Sequence, residues 1–472
     1  LTFLFRIIFK DVLSLKRLLS VFVCAAIFLA ALSPAKAGAA YNSLLESLEP
    51  YSEIVYLQSL EDGTVIFEKN ADVKTASASL TKLVTALVTL NNCDDINTVV
   101  TVPDTAINVF AGTNSSTAGL KPGERLSVLD LLYCMLVPSA NEAAEILAEY
   151  IGNGSTKKFV GKMNELVKSI GCTATHFTNP HGLDEDNHYT TARDMAKIAS
   201  YTLTCPQSDL MEKITSTVKY TLPATNLSKE RVLRTTNYLM NPGFADYYCK
   251  YVTGMKTGST QNAGKCVIAK ASCDGYSYLA VVLRGTFYDV DRDGYKENGA
   301  FMDAKKILEW TFANIKYETV LPSAQVVAEM PVKLSTKADY VAMVPDTELS
   351  TFVPSGVGES SVLVEVDPST VGKSVDAPVK KGQKLGEAVV YYAGEEIART
   401  DLVAAQDVGR NIFLYFLHIV KRLFSTIVFR IVFSVAVIII TAYAAVGIIY
   451  ERKRRQRKRG LRVLNLRDIQ KK

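Results

Sequence analysis

The sequence predicts an α+β fold: one large mixed domain, then a small all-β domain, then a C-terminal transmembrane helix. Three observations carry this reading. Helical runs near 79–90, 126–136 and 139–150 lie between strand-like runs at 54–67 and 251–283. From Leu321 to about Val408 the pattern changes to short alternating strands broken by Pro, Gly and Ser. Finally, Ile431 to Tyr450 is free of charge over roughly the twenty residues that a bilayer requires.

Lys16 and Arg17 precede an apolar run from Leu18 to Leu32, and Ala35-Lys36-Ala37 supplies an Ala-x-Ala cleavage site. Residues 1–37 therefore read as an export signal, with an uncleaved anchor as the rival. Residues 411–430 set Phe413, Leu414, Phe416, Leu417, Val420 and Leu423 against His418, Lys421 and Arg422, the pattern of a helix lying on a membrane surface. The span 431–450 is followed at once by the basic tail 451–472. By the positive-inside rule the tail is cytoplasmic and the body lies on the outer face of the cell membrane, in contact with lipid at its anchor.

Composition excludes several classes. The formal charge of +5 is concentrated in that tail, so the body offers no nucleic-acid groove. Four histidines without a His-Glu-x-x-His arrangement argue against a zinc hydrolase, and no metal or cofactor is expected. Eight cysteines include Cys24 in the signal. The other seven are scattered, odd in number and lack a CxxC, so they read as thiols with one candidate bridge rather than a disulfide framework.

Along the chain, Ile54–Leu57 and Val65–Phe67 flank Asp62-Gly63 as a hairpin. Next comes Ser79-Leu80-Thr81-Lys82, where a serine and a lysine three apart share one helix face. Behind them Leu83 to Leu90 is apolar or small on every side, as in a fully buried helix. Burial lowers a lysine's pKa, and a neutral amine beside a serine can act as its base. The bland alternative makes Ser79 a helix cap and turns Lys82 to solvent. Leu126 to Leu136 reads as a helix closed by Pro138. At Ser139-Ala140-Asn141-Glu142 a capping box between Ser139 and Glu142 is the favoured local reading, which leaves Asn141 incidental. A turn-rich loop, His176 to Leu183, leads to a helix entered at Tyr189–Met195. The strand around Tyr251–Gly258 carries Lys256, with Gly258 permitting close approach of a substrate backbone.

Three motifs in order, Ser79-x-x-Lys82, Ser139-x-Asn141 and Lys256-Thr257-Gly258, resemble the signature set of the penicillin-binding-protein and serine β-lactamase superfamily. Asn179-Pro180-His181-Gly182-Leu183, His188–Asp194 and Gly254-Met255-Lys256-Thr257-Gly258 narrow the resemblance to low-molecular-weight D-alanyl-D-alanine carboxypeptidases. It spans about 41–318, the expected catalytic domain, and continues more loosely through the β-rich domain 321–408. Two departures stand out: Ser-Ala-Asn-Glu where relatives usually have Ser-Gly-Asn-Asp, and Ser259 where many carry histidine.

The resemblance implies a penicillin-binding-protein/serine β-lactamase-like catalytic domain in which Ser79 attacks the carbonyl between two terminal D-alanines of a peptidoglycan stem peptide. Lys82 and Ser139 move its protons. Asn141, Lys256, Thr257, Gly258 and Ser259 bind substrate, with Arg284 as a further candidate for the carboxylate and the N–H groups of Ser79 and Ser259 for the oxyanion. β-Lactam antibiotics would acylate the same serine. A β-lactamase and an inactive cell-wall scaffold are the competing readings. Asp289, Asp291 and Asp293 match the front of a calcium loop, but Ala300 stands where its closing glutamate belongs, and Asp303 comes late. The β-rich domain reads as a sandwich-like spacer.

Overall fold

The computed structural model describes residues 48–289 and 296–469. The expected export signal, and Asp291 and Asp293, lie outside the described residues. The chain divides into two compact units. The first runs to Leu321 and includes Leu349–Glu365 and Val389–Arg399; the second holds Pro322–Glu348, Val366–Ala388 and the chain from Thr400 onward.

The first unit is built on an antiparallel sheet of five strands: β1 (Ile54–Ser59), β2 (Val65–Lys69), β3 (Val252–Thr260), β4 (Gly264–Cys273) and β5 (Tyr276–Gly285). Their order is β2-β1-β5-β4-β3, which leaves β3 at an edge. The β1–β2 hairpin expected at Asp62-Gly63 is present, with Gly63 at φ +77°. Alternate residues of β5 enter opposite cores: Leu279, Val281 and Leu283 on one face, Tyr278, Ala280 and Val282 on the other. Burial on both faces explains why this strand reads as one apolar run rather than an alternation.

One face is covered by α5 (Gly299–Asn314) through Phe301, Ala304, Ile307 and Leu308. On the other lie α1 (Thr81–Asn91), α2 (Val128–Leu136), α3 (Asn141–Ile151) and α4 (Ala192–Thr204). Every residue of α1 from Thr81 to Leu90 is buried, as its uniformly apolar run requires. The helix expected from Leu126 starts two residues later, because Arg125–Ser127 pairs as a short strand with Val99–Thr101. Ser127 then caps α2, its hydroxyl accepting from the N–H of Asp130. Among the described residues all seven cysteines are unbridged, and the candidate bridge does not form.

In the second unit Ala328–Pro331 pairs antiparallel with Tyr340–Met343. Val332–Lys333 runs parallel to Val375–Asp376, and Met343–Pro345 lies against Leu402–Ala404. The amphipathic segment forms a helix at Ile412–Ser425, capped by Asn411 Oδ1, which accepts from the N–H groups of Phe413 and Leu414. It ends sooner than expected: Thr426 closes it, and Ile427–Arg430 belong to the next helix, Ile427–Ile469. Ile427–Arg457 is long and apolar enough to cross a membrane, and none of its apolar window is buried in the protein. The basic residues from Arg452 to Arg467 continue this helix.

Buried histidines anchor the start of α1. His188 Nδ1 accepts from the N–H of Thr178 at 3.1 Å, which leaves the proton on Nε2, 2.9 Å from Ser77 Oγ and 3.0 Å from Thr81 Oγ1. Burial pushes His188 down to about 4 and His181 down to about 3. The unfolded chain, with histidines near 6.5, binds more protons than the fold between those limits, so stability falls as pH drops through that window. The expected slope is up to roughly 1.4 kcal/mol per pH unit for each histidine. Thermal denaturation of the full chain from pH 7 to 4 measures it. A slope unchanged in His188→Asn would show that His188 contributes nothing.

Candidate active site

Ser79 sits on a tight turn, Ala78–Leu80, that leads into α1. Ala78 adopts φ +47°, a left-handed conformation that a residue with a Cβ holds only under constraint. Two glycines supply that constraint. A Cβ on Gly182 would lie 1.8 Å from Ala78 O, and one on Gly258 would lie 2.9 Å from Ala78 Cβ and 3.2 Å from Ser79 N. Gly258 was expected to admit a substrate backbone; the close approach seen here is that of the serine turn.

The capping alternative for Ser79 does not hold, since Leu80 occupies the cap position and Lys82 is 0% exposed. Lys82 Nζ lies 2.8 Å from Ser79 Oγ, 2.6 Å from Asn141 Oδ1 and 2.7 Å from His181 O. A neutral amine has two N–H donors and one lone pair. The amide and carbonyl oxygens accept the two N–H groups, so the lone pair is left facing the Ser79 hydroxyl. Burial holds Lys82 well below the usual lysine range, the nearby Lys256 lowers it further, and Glu142 opposes.

Ser139 and Glu142 do not form the expected capping box. Ala140 takes the cap position with no side-chain bond. Ser139, at φ +67°, instead accepts from Lys256 Nζ at 2.9 Å, and Glu142 Oε1 accepts from Thr117 Oγ1 and the N–H of Ala118. Strand β3 thus delivers Lys256 to the helical side of the cleft. Lys256 is also 0% exposed, donates to Thr257 O, and is pushed by burial down to about 7. Among the described residues neither lysine forms an ion pair.

Beyond Lys256, Thr257 Oγ1 lies 2.5 Å from Thr236 Oγ1, and Ser259 Oγ accepts from Lys265 Nζ at 2.9 Å. Ser79, Lys82 and Asn141 are therefore linked directly, as are Ser139 and Lys256. Arg284, a candidate for the carboxylate, is engaged elsewhere: its Nε donates to Thr75 Oγ1 and its Nη1 pairs with Glu53. Asp303 is spent on the N–H groups of Tyr51 and Ser52, so it is not held ready for a calcium ion. Sequence reasoning missed Thr236, Lys265 and the carbonyl of His181. A main-chain carbonyl has no side-chain signature, although the glycine beside it marks a loop pressed close to another backbone.

A turn-borne serine against a buried amine, joined by a second serine–lysine pair, defines a serine acyl-transfer centre on a penicillin-binding fold. A family model described as D-alanyl-D-alanine carboxypeptidase matches residues 50–286, and the C-terminal domain of penicillin-binding protein 5 matches 316–410. The D-alanyl-D-alanine carboxypeptidase DacF of Bacillus subtilis is 30% identical over 359 residues, covering 76% of this chain and 86% of its own. DacA of Haemophilus influenzae is 30% identical over 377 residues, covering 75% and 84%. The crystal structure of penicillin-binding protein 5 from Haemophilus influenzae superposes with a TM-score of 0.56 at 28% identity, covering 76% of this chain and 98% of that one. The chain belongs to the D-alanyl-D-alanine carboxypeptidase family, the low-molecular-weight penicillin-binding proteins.

Gly182 tests how the serine turn is held. Its φ of +86° and the missing space for a Cβ predict that Gly182→Ala lowers unfolding free energy by about 2 kcal/mol or more. Thermal or urea denaturation reads this. An unperturbed melting curve would mean that the turn does not depend on this contact.

Proposed function

We propose that the chain removes the terminal D-alanine from peptidoglycan stem peptides ending in D-Ala-D-Ala, with Ser79 as nucleophile. The observation that carries this is the 2.8 Å contact from Lys82 Nζ to Ser79 Oγ, with two fixed acceptors for the remaining N–H groups. Ser79 Oγ attacks the penultimate carbonyl while Lys82 takes its proton. The oxyanion is held by the N–H groups of Ser79 and Ser259, brought together by the close approach at Gly258. The tetrahedral species collapses, the C–N bond breaks, and the departing amine takes a proton relayed from Lys82 through Ser139. Water, deprotonated by Lys82, then cleaves the acyl-enzyme to a carboxylate and free Ser79.

Lys256 and Thr257 hold the C-terminal carboxylate of the substrate, and Asn141 orients both Lys82 and the peptide amide. A β-lactam carries an acyl carbonyl and a carboxylate in a comparable relation and acylates the same Ser79. The helix at Ile427–Arg457 tethers the protein in lipid. In this reading the catalytic unit lies outside the cell membrane, the basic residues after Tyr450 lie in the cytoplasm, and the second unit serves as spacer.

Full-length wild-type protein is expected to release D-alanine from a peptide ending in D-Ala-D-Ala, and Ser79→Ala to release at least ~10³-fold less. Equal release by both would remove Ser79 from the reaction. A pH series supplies a second test. Acylation needs Lys82 neutral, so kcat/KM falls as acid protonates that depressed amine. It falls again on the alkaline side as Lys256, about 7 in the free protein, loses the charge that attracts the carboxylate. An alkaline limb that stays in place in Lys256→Ala would detach it from Lys256.

A further inference from the structure

Thr257 presents a hydroxyl whose direction of donation is not fixed by its own position. A hydroxyl has one proton and can donate it to only one acceptor. Thr257 Oγ1 lies 2.5 Å from Thr236 Oγ1, so one of these two hydroxyls donates to the other. If Thr257 donated to Thr236, it would present only lone pairs to an incoming carboxylate, and the contact would be repulsive. If Thr236 donates to Thr257, the proton of Thr257 is released toward the ligand.

The backbone that carries Thr236 is held in place. This residue follows the strand Arg231–Arg234, and its N–H donates to Val137 O two residues before Ser139, tying it to the segment that carries the second serine. It is half-buried, whereas Thr257 is nearly fully buried. Immediately after it, Asn237 is buried, with its N–H on Thr235 Oγ1 and its Oδ1 accepting from the N–H of Leu239, which fixes the backbone there. Lys256, the other group assigned to the carboxylate, has its bonded partners in Ser139 and Thr257 O, so it does not orient the Thr257 hydroxyl.

We propose that Thr236 is a positioning residue for carboxylate specificity: it donates to Thr257 Oγ1 and thereby commits the Thr257 hydroxyl to donate to an anionic C-terminus. This rests on the carboxypeptidase reading and on Thr257 as a carboxylate ligand. It deepens that reading by naming what makes the enzyme prefer a free terminal carboxylate over a neutral terminal amide.

The test compares wild-type full-length protein with Thr236→Val and Thr236→Ser on two peptides. One ends in D-Ala-D-Ala with a free carboxylate and the other ends in its amide. Losing a bond that polarises a contact to a charged group predicts a KM for the carboxylate peptide about 5–10-fold higher in Thr236→Val, with kcat within about twofold. The preference for carboxylate over amide shrinks by the same factor, and Thr236→Ser restores both. Thr236→Ala serves the same comparison if the valine variant melts at a lower temperature. The proposal is overturned if KM is unchanged, if both peptides weaken equally, or if serine does not rescue. Absence of D-alanine release by the wild-type protein would instead overturn the carboxypeptidase reading, and this proposal with it.

Discussion

Two buried lysines, each bonded to its own serine, are the constraint on which the first unit depends. Neither Lys82 nor Lys256 has a carboxylate partner among the described residues, so each is held by oxygen atoms of amides, carbonyls and hydroxyls. Burying a charge without a counter-ion is costly, and a group so placed gives up its proton readily. That cost is met by the surrounding packing: α1 is buried from Thr81 to Leu90, and the strand carrying Lys256 pairs with β4 without a break from Gly254 to Thr260. A carboxylate in bonding contact would have been the cheaper solution for stability. It would also have kept the amine protonated and silent.

The neighbourhood follows from that choice. Glu142, the acidic residue nearest in sequence to Asn141, is turned away onto Thr117 and Ala118, where it moderates the field at Lys82 without binding it. The loop bearing His181 lends a carbonyl rather than its ring, and the ring is kept neutral by burial. Left-handed backbone at Ala78 and Ser139 places both serines where an ordinary helix start would not.

Much of this was legible in the sequence. The apolar run after Lys82 announced a buried helix, and β4 and β5 stood out because Val-Ile-Ala and Leu-Ala-Val-Val-Leu run through them. Local rules failed at Ser139, where spacing matched a capping box but a lysine more than a hundred positions away took the hydroxyl. Capping is a preference of about 1 kcal/mol, and a buried ammonium seeking an acceptor outweighs it. Thr236 and Lys265 were invisible for a related reason: their partners are fixed by the pairing of β3 and β4 and by a loop crossing, neither of which leaves a periodic trace. Arg284 shows the converse, a charged residue placed near the motif by analogy but claimed by Glu53 and Thr75.

The position of β3 at the border of the sheet has a further consequence. A border strand carries one row of amide and carbonyl groups with no strand beside it, which ordinarily invites unwanted association. Here the same strand bears Lys256, Thr257 and Ser259, and an extended peptide laid along it would gain a ladder of main-chain bonds that is blind to side-chain identity. Recognition would then rest on the two ends of the bound segment, its terminal charge and its reacting carbonyl. A site of that kind would tolerate chemical variety in the body of its substrate while remaining strict about where that substrate stops.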